Sequence, residues 1–144
     1  MKKDVFLSYS FKDAYRIRRL RVALTYFGLD SWPDERHLPG TPAWQAQMAE
    51  RMSQSCCLLL ALSHETTLSA WVGQALEQAA IDRVPVVPVV VDGNPGHILL
   101  LELETDAWFD LRWSRNYRSE MQALVRLIRF YQGETVPDVI IEDF

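Results

Sequence analysis

The chain has 144 residues, 49% hydrophobic and 24% charged, with a net charge of −4 and a pI near 5.3. Such a chain makes one domain of ordinary size with its own core, which excludes a disordered segment. The acidic balance argues against a dedicated nucleic-acid binder.

Asp4–Ser8 (DVFLS) reads as a short buried strand. Tyr9 to Asp13 follow as a polar turn, with Asp13 in position to cap the next helix. That helix is expected from about Ala14 to Phe27, with Ile17, Leu20, Leu24 and Phe27 on its apolar face. The opposite face carries Arg16, Arg18, Arg19 and Arg21, either a solvated face or a docking surface for an acidic partner or another copy. Gly28 ends the helix.

Leu29–Trp32 reads as a brief strand, and Pro33–Trp44 (PDERHLPGTPAW) as a long loop, too polar for core and too rich in proline for regular structure. A loop of that length in a compact domain suggests function. Thr41 or Pro42 opens a helix from about Ala43 to Ser53, with Trp44, Met48 and Met52 in line. Ser55–Leu62 (SCCLLLAL) is a continuous apolar run, as in a strand covered on both faces. Its neighbours Cys56 and Cys57 should point to opposite faces, so neither a disulfide nor a zinc set is expected.

Ser63–Thr67 forms a turn into a helix over Leu68–Ala79, whose Leu68, Trp71, Val72, Ala75, Leu76 and Ala79 recur at helical spacing. Val84–Val91 is a buried strand in which Pro85 and Pro88 imply breaks or an edge position. Asp92–Gly96 is a turn, Ile98–Glu104 a helical turn or loop, and Ala107–Leu111 a last strand. Tyr117–Tyr131 is a final helix with Met121, Leu124, Val125 and Ile128 inward. The tail from Gly133 to Phe144 alternates acidic and apolar residues, as in a linker end or docking segment.

Strands that alternate with helices and lack period-two patterning call for a parallel sheet covered on both faces. Ligands then bind at the C-terminal strand ends where strand order reverses, near Tyr9–Lys12, the long loop and Ser63–Ser69. No apolar run is long enough for a membrane span, and the N-terminus is too short for a signal peptide, so a cytoplasmic location is expected. His37, His64 and His97 are scattered and suggest no metal site. Neither a GxGxxG nor a GxxxxGK phosphate loop is present.

Five segments taken together, DVFLSYSFKD, GLDSWPDERHLPGTPAW, SCCLLLALS, SAWV and VPVVPVVVDG, resemble a TIR (Toll/interleukin-1 receptor) domain of prokaryotic type. The resemblance runs from about Lys2 to Tyr131. It implies a flavodoxin-like three-layer α/β sandwich with a central, mostly parallel five-stranded sheet. The TIR domain would occupy residues 1–132, and 133–144 would be a tail. Pro33–Trp44 would be the family's BB loop, with Pro39 and Gly40 at its tip.

TIR domains assemble through the BB loop and helix faces, and many cleave NAD⁺ at the nicotinamide–ribose bond. Some cyclise the product. In the enzymatic members a glutamate follows a tryptophan as W-x-x-x-E. Its carboxylate suits the reaction, because departure of nicotinamide builds positive charge on the ribose. Nicotinamide leaves without a general acid, so one carboxylate and good positioning suffice.

Here the motif reads Trp71-Val72-Gly73-Gln74-Ala75, with alanine at the glutamate position. Glu77, the fallback carboxylate, lies about 120° around the helix from Trp71. Either the chain is naturally non-catalytic, or Glu77 serves after a local shift, or Ala75 replaces a native glutamate. The resemblance also implies that Ser8, Tyr9, Ser10 and Phe11 lie against the nucleotide, with Trp32, Asp34 and Arg36 on the BB-loop side. A tryptophan there can stack on a base, and an arginine can hold pyrophosphate. Ser69 would act at the helix start or on a cofactor hydroxyl, and Trp71 as core filler or pocket wall.

The implied function is an NAD⁺ glycohydrolase or ADP-ribosyl cyclase effector of bacterial anti-phage immunity, active on self-assembly and disabled by Ala75. NAD⁺ would be its substrate, with no cofactor or metal required and a sensor domain as fused or separate partner. The alternative is a non-catalytic module that forms homotypic signalling assemblies.

Overall fold

Strand β1 (Asp4–Ser8) is the pivot of a five-stranded sheet with the order β2-β1-β3-β4-β5, in which every neighbouring pair is parallel. The computed structural model describes residues 2–66, 69–93 and 107–134. The other strands are β2 (Ser31–Trp32), β3 (Ser55–Leu62), β4 (Val86–Val90) and β5 (Phe109–Asp110). Between them run helices α1 (Ala14–Tyr26), α2 (Pro42–Ser53) and α3 (Ala70–Ile81), and α4 (Tyr117–Tyr131) closes the domain. This is the expected flavodoxin-like α/β sandwich. Leu68, His97, the Ile98–Glu104 segment and the tail beyond Glu134 lie outside the described residues.

Side-chain alternation along the strands builds two cores. Val5 and Leu7 of β1, with Cys57, Leu59 and Ala61 of β3, pack with Ile17, Leu20 and Leu24 of α1 and Met121, Leu124 and Ile128 of α4. Phe6, Leu58, Leu60 and Leu62 face the other way, toward Trp44 and Met52 of α2 and Val72, Ala75 and Ala79 of α3. Helices α1 and α3 thus leave β1 and β3 toward opposite faces, and the turns preceding them diverge at the C-terminal edge of the sheet. That divergence opens a crevice where strand order reverses.

Three expectations change. Cys56 and Cys57 do not take opposite faces. The β1–β3 register slips between Asp4 and Val5, which makes Cys56 the extra residue. Both thiols join one core, 3.8 Å apart, and both are free. Strand β4 is interior rather than at an edge. Among the described residues β5 pairs it only at Val89 and Val90, beyond Pro88. Asp13 makes no side-chain cap on α1. Ser10 caps the 3₁₀ turn Phe11–Asp13 instead, its Oγ accepting from the Lys12 amide.

Candidate functional site

A cleft of about 270 Å³ lies at the C-terminal ends of β1 and β3. The turn after β1 contributes Ser10, Phe11 and Lys12; the turn after β3 contributes Glu65; the start of α3 contributes Ser69, Ala70 and Trp71. Ser69 is the N-cap of α3, its Oγ accepting from the Val72 amide at 3.4 Å. Lys12 and Glu65 pair across the cleft at 3.5 Å. Both are substantially exposed, so the pair is a weak bridge that a ligand can separate.

The two turns are pinned beneath the cleft by Asp13. Its carboxylate is 1% exposed and accepts from the Ser63 hydroxyl and from Arg16 Nη1. Arg16 in turn reaches Asp92 after β4, at 3.2 Å. Thr66 fixes the second turn by donating to the Ala61 carbonyl and accepting from the Ser63 amide.

A second cavity, of about 410 Å³, lies between α1 and the loop from Pro33, which ends at Thr41 where α2 begins, lined by Tyr9, Arg18, Arg21, Glu35 and Leu38 among others. Tyr9 is 1% exposed, and burial pushes its phenol pKa up, with the Arg21 guanidinium opposing. Tyr9 Oη and Arg21 Nε are buried without a hydrogen-bond partner.

The candidate residues named from sequence therefore separate into groups. Ser10, Phe11, Ser69 and Trp71 meet in the cleft. Tyr9 belongs to the second cavity. Asp34 and Arg36 flank an open surface depression with Arg18 and Arg21. Ser8, Trp32 and Ala75 are buried. Trp32 stacks on Trp44 with 15° between ring planes and packs against Phe6, so its ring is a core element with no face left for a base.

Ala75 differs most from expectation. It is 0% exposed, enclosed in the core with Phe6, Trp32, Trp44 and Leu60 rather than open at a mouth. Glu77 is exposed on α3, away from the buried face of Val72, Ala75 and Ala79.

The loop tip also turns inward. Pro39 is buried, and Gly40, at φ +85°, lies on the indole of Trp71. A Cβ built on Gly40 would stand 2.2 Å from Trp71 Nε1. Trp71 is thus both wall and support: one side lines the cleft, and the ring carries Gly40 and packs edge-on against Trp44. At the other end of the loop Asp34 accepts from the Arg36 amide and faces His37 Nδ1 at 2.7 Å. Against the upward push of partial burial, the His37 bond and then those from Arg36 hold the Asp34 carboxyl at about 2.

A carboxyl lowered on folding stabilises the fold above its unfolded pKa, and the gain is lost as pH falls through the folded value. The Asp34 turn is therefore expected to stay closed down to pH ~4 and to open toward pH 2. Side-chain carbon shifts titrated by NMR should give an Asp34 midpoint near 2. A midpoint near the free aspartate value would mean that the turn is not formed in solution.

The spans Tyr9–Lys12 and Ser63–Ser69 expected at the strand ends contain Lys12 and Glu65 without singling them out, and the Asp13–Ser63 tie is not foreseen. That tie joins positions 50 residues apart, and no local pattern reports it. Among the described residues no group of three His, Cys, Asp or Glu could hold a metal ion, and no helix is long and apolar enough to cross a membrane.

Comparison with known proteins agrees with this architecture. The TIR domain of the Toll-related receptor TRR-2 from Hydra magnipapillata superposes with a TM-score of 0.65 at 16% identity, covering 87% of this chain and 97% of that one. The TIR domains of the activated Roq1 resistosome, which recognises the pathogen effector XopQ, give 0.62 at 18% identity, covering 88% and 99%. No curated protein matches the sequence. A family model described as TIR domain matches residues 5–128, and with that span inside the doubly wound sheet the chain belongs to the TIR domain family.

Proposed function

We propose that this chain is a TIR signalling module that acts by associating with copies of itself and does not cleave NAD⁺ as its sequence stands. The observation that carries the reading is position 75. It holds an alanine with no exposed surface, in an apolar cluster, where the cleaving members of the family need a carboxylate. The BB loop supports it too. Arg18 Nε donates to Glu35 at 2.6 Å, Asp34 closes the loop's first turn, and Gly40 rests on Trp71. A loop held in this way offers Glu35 and Arg36 as a preformed charged surface, with Arg36 85% exposed. Preformed surfaces lose less entropy on association. The likeness to TIR domains of an activated resistosome is in keeping with an assembling role.

A second reading keeps the NAD⁺ glycohydrolase or cyclase activity and the anti-phage role. It is favoured by the cleft that gathers Ser10, Phe11, Ser69 and Trp71. In that reading position 75 still lacks the glutamate of the cleaving members.

Both readings are tested on one sample. Sedimentation across a concentration series should show self-association, and Arg18→Glu with Arg36→Glu should weaken it by about tenfold or more. Identical sedimentation of parent and variant would sink the assembly reading. The associated parent mixed with NAD⁺ should release no nicotinamide above the buffer control, and clear release would put the second reading in the lead.

A further inference from the structure

A third cavity, of about 400 Å³, lies at the C-terminal ends of β4 and β5, between the N-terminal halves of α1 and α4. Arg16 and Arg19 of the basic α1 face line it, while none of the residues expected at the nucleotide does. Its size suits a small ligand, since such pockets run from ~300 Å³ upward. Leu20 and Leu111 give it an apolar floor.

Three guanidiniums converge on this space, and two are held in place from behind. Arg112 makes two bonds to the Asp110 carboxylate, from Nε at 2.8 Å and from Nη2 at 2.6 Å, and a third to the Gly93 carbonyl. Arg16 is held between Asp13 and Asp92. Arg19 differs, because no carboxylate pairs with it among the described residues. Its Cζ lies 4.8 Å from the centroid of the Trp113 ring. Trp113 is 74% exposed and Tyr15 66%, unusual for side chains of that size. Asp92 is the carboxylate lining the cavity, and Arg16 already engages it.

We propose that this cavity binds a nucleoside phosphate whose base displaces the Arg19 guanidinium from the Trp113 ring and whose phosphate Arg19 then holds. Each part matches a physical need. Exposed aromatic faces bind planar bases by stacking, with little regard to which base. A guanidinium with donors to spare binds phosphate oxygens in a forked geometry. Arg16 and Arg112 keep N–H groups beyond those used on their carboxylates, and their fixed positions lower the ordering entropy of binding. The site is separate from the β1–β3 cleft and does not depend on whether the chain cleaves NAD⁺.

The test is isothermal titration calorimetry of the whole chain with AMP, adenosine and inorganic phosphate. AMP should bind about tenfold or more tightly than either fragment, and more weakly at high salt. Arg19→Gln and Trp113→Ala should each weaken AMP by about tenfold or more. Both positions are exposed, so the melting temperature should hold. Phe11→Ala, which alters the cleft, should leave AMP affinity unchanged. Absence of AMP binding, or binding indifferent to both Arg19→Gln and Trp113→Ala, overturns the proposal. Loss of AMP binding in Phe11→Ala alone overturns it as well, because the ligand then sits in the cleft.

Discussion

Ala75→Glu should lower stability by about 3 kcal/mol at neutral pH, a drop of about 10 °C in melting temperature for a chain of this length. Ala75 has no exposed surface, and its cluster is built from Phe6, Trp32, Trp44, Leu58, Leu60 and Leu62, none of which offers a carboxylate a charged partner. A carboxyl placed there is desolvated, so its pKa rises. The sign follows from linkage. A carboxyl whose folded pKa lies above its unfolded value binds its proton more readily in the native state. The deficit against the parent is then full above the folded pKa and shrinks as pH falls toward ~4, the unfolded value, below which the group becomes neutral in both states. Thermal melts of parent and variant at pH 7 and pH 4 measure this directly. Were the variant as stable as the parent at pH 7 and to release nicotinamide from NAD⁺, position 75 would open on the cleft, and the second reading of function would replace the first. The same substitution therefore tests the packing and the chemistry.

The limits of sequence reading show clearly at this position. A 3.6-residue period identified the inner face of α3, and Val72, Ala75 and Ala79 are buried there. Periodicity reports which face is covered, not whether a cavity lies behind it. The strands β1 and β3 were legible to the residue, because long apolar runs between turn signals have few alternatives. The two-residue strands β2 and β5 were read too long, since a short edge strand is bounded by what its neighbour pairs with. The family resemblance puts Trp32 on the nucleotide side of the BB loop. Trp32 also ends β2, where strand alternation sends it inward to join Phe6 and Trp44. The family itself was legible, because five motifs in a fixed order constrain the fold more than any one of them.

Asp13→Ala is the other substitution expected to have a large effect, again about 3 kcal/mol, because it strands two groups that are otherwise satisfied. The Ser63 hydroxyl loses its acceptor, and Arg16 keeps only Asp92. Asp13→Asn retains an oxygen for Ser63 and loses only the charge, so its cost should be nearer about 1 kcal/mol. Urea unfolding separates the two, and equal midpoints for parent and Asp13→Ala would show that the tie contributes nothing. Stability is only part of the expected result. Asp13 joins the turn after β1 to the turn after β3, and these turns carry Lys12 and Glu65 to opposite sides of the cleft. The Glu65 amide donates to Ser63 Oγ, so a free Ser63 releases Glu65 as well. Amide exchange at Glu65 and Thr66 should therefore quicken in Asp13→Ala while the amides of β3 stay protected. Arg16, with one anchor fewer, also loosens the wall of the cavity beside β4 and β5. One buried carboxylate thus sets the geometry of both the cleft and that cavity.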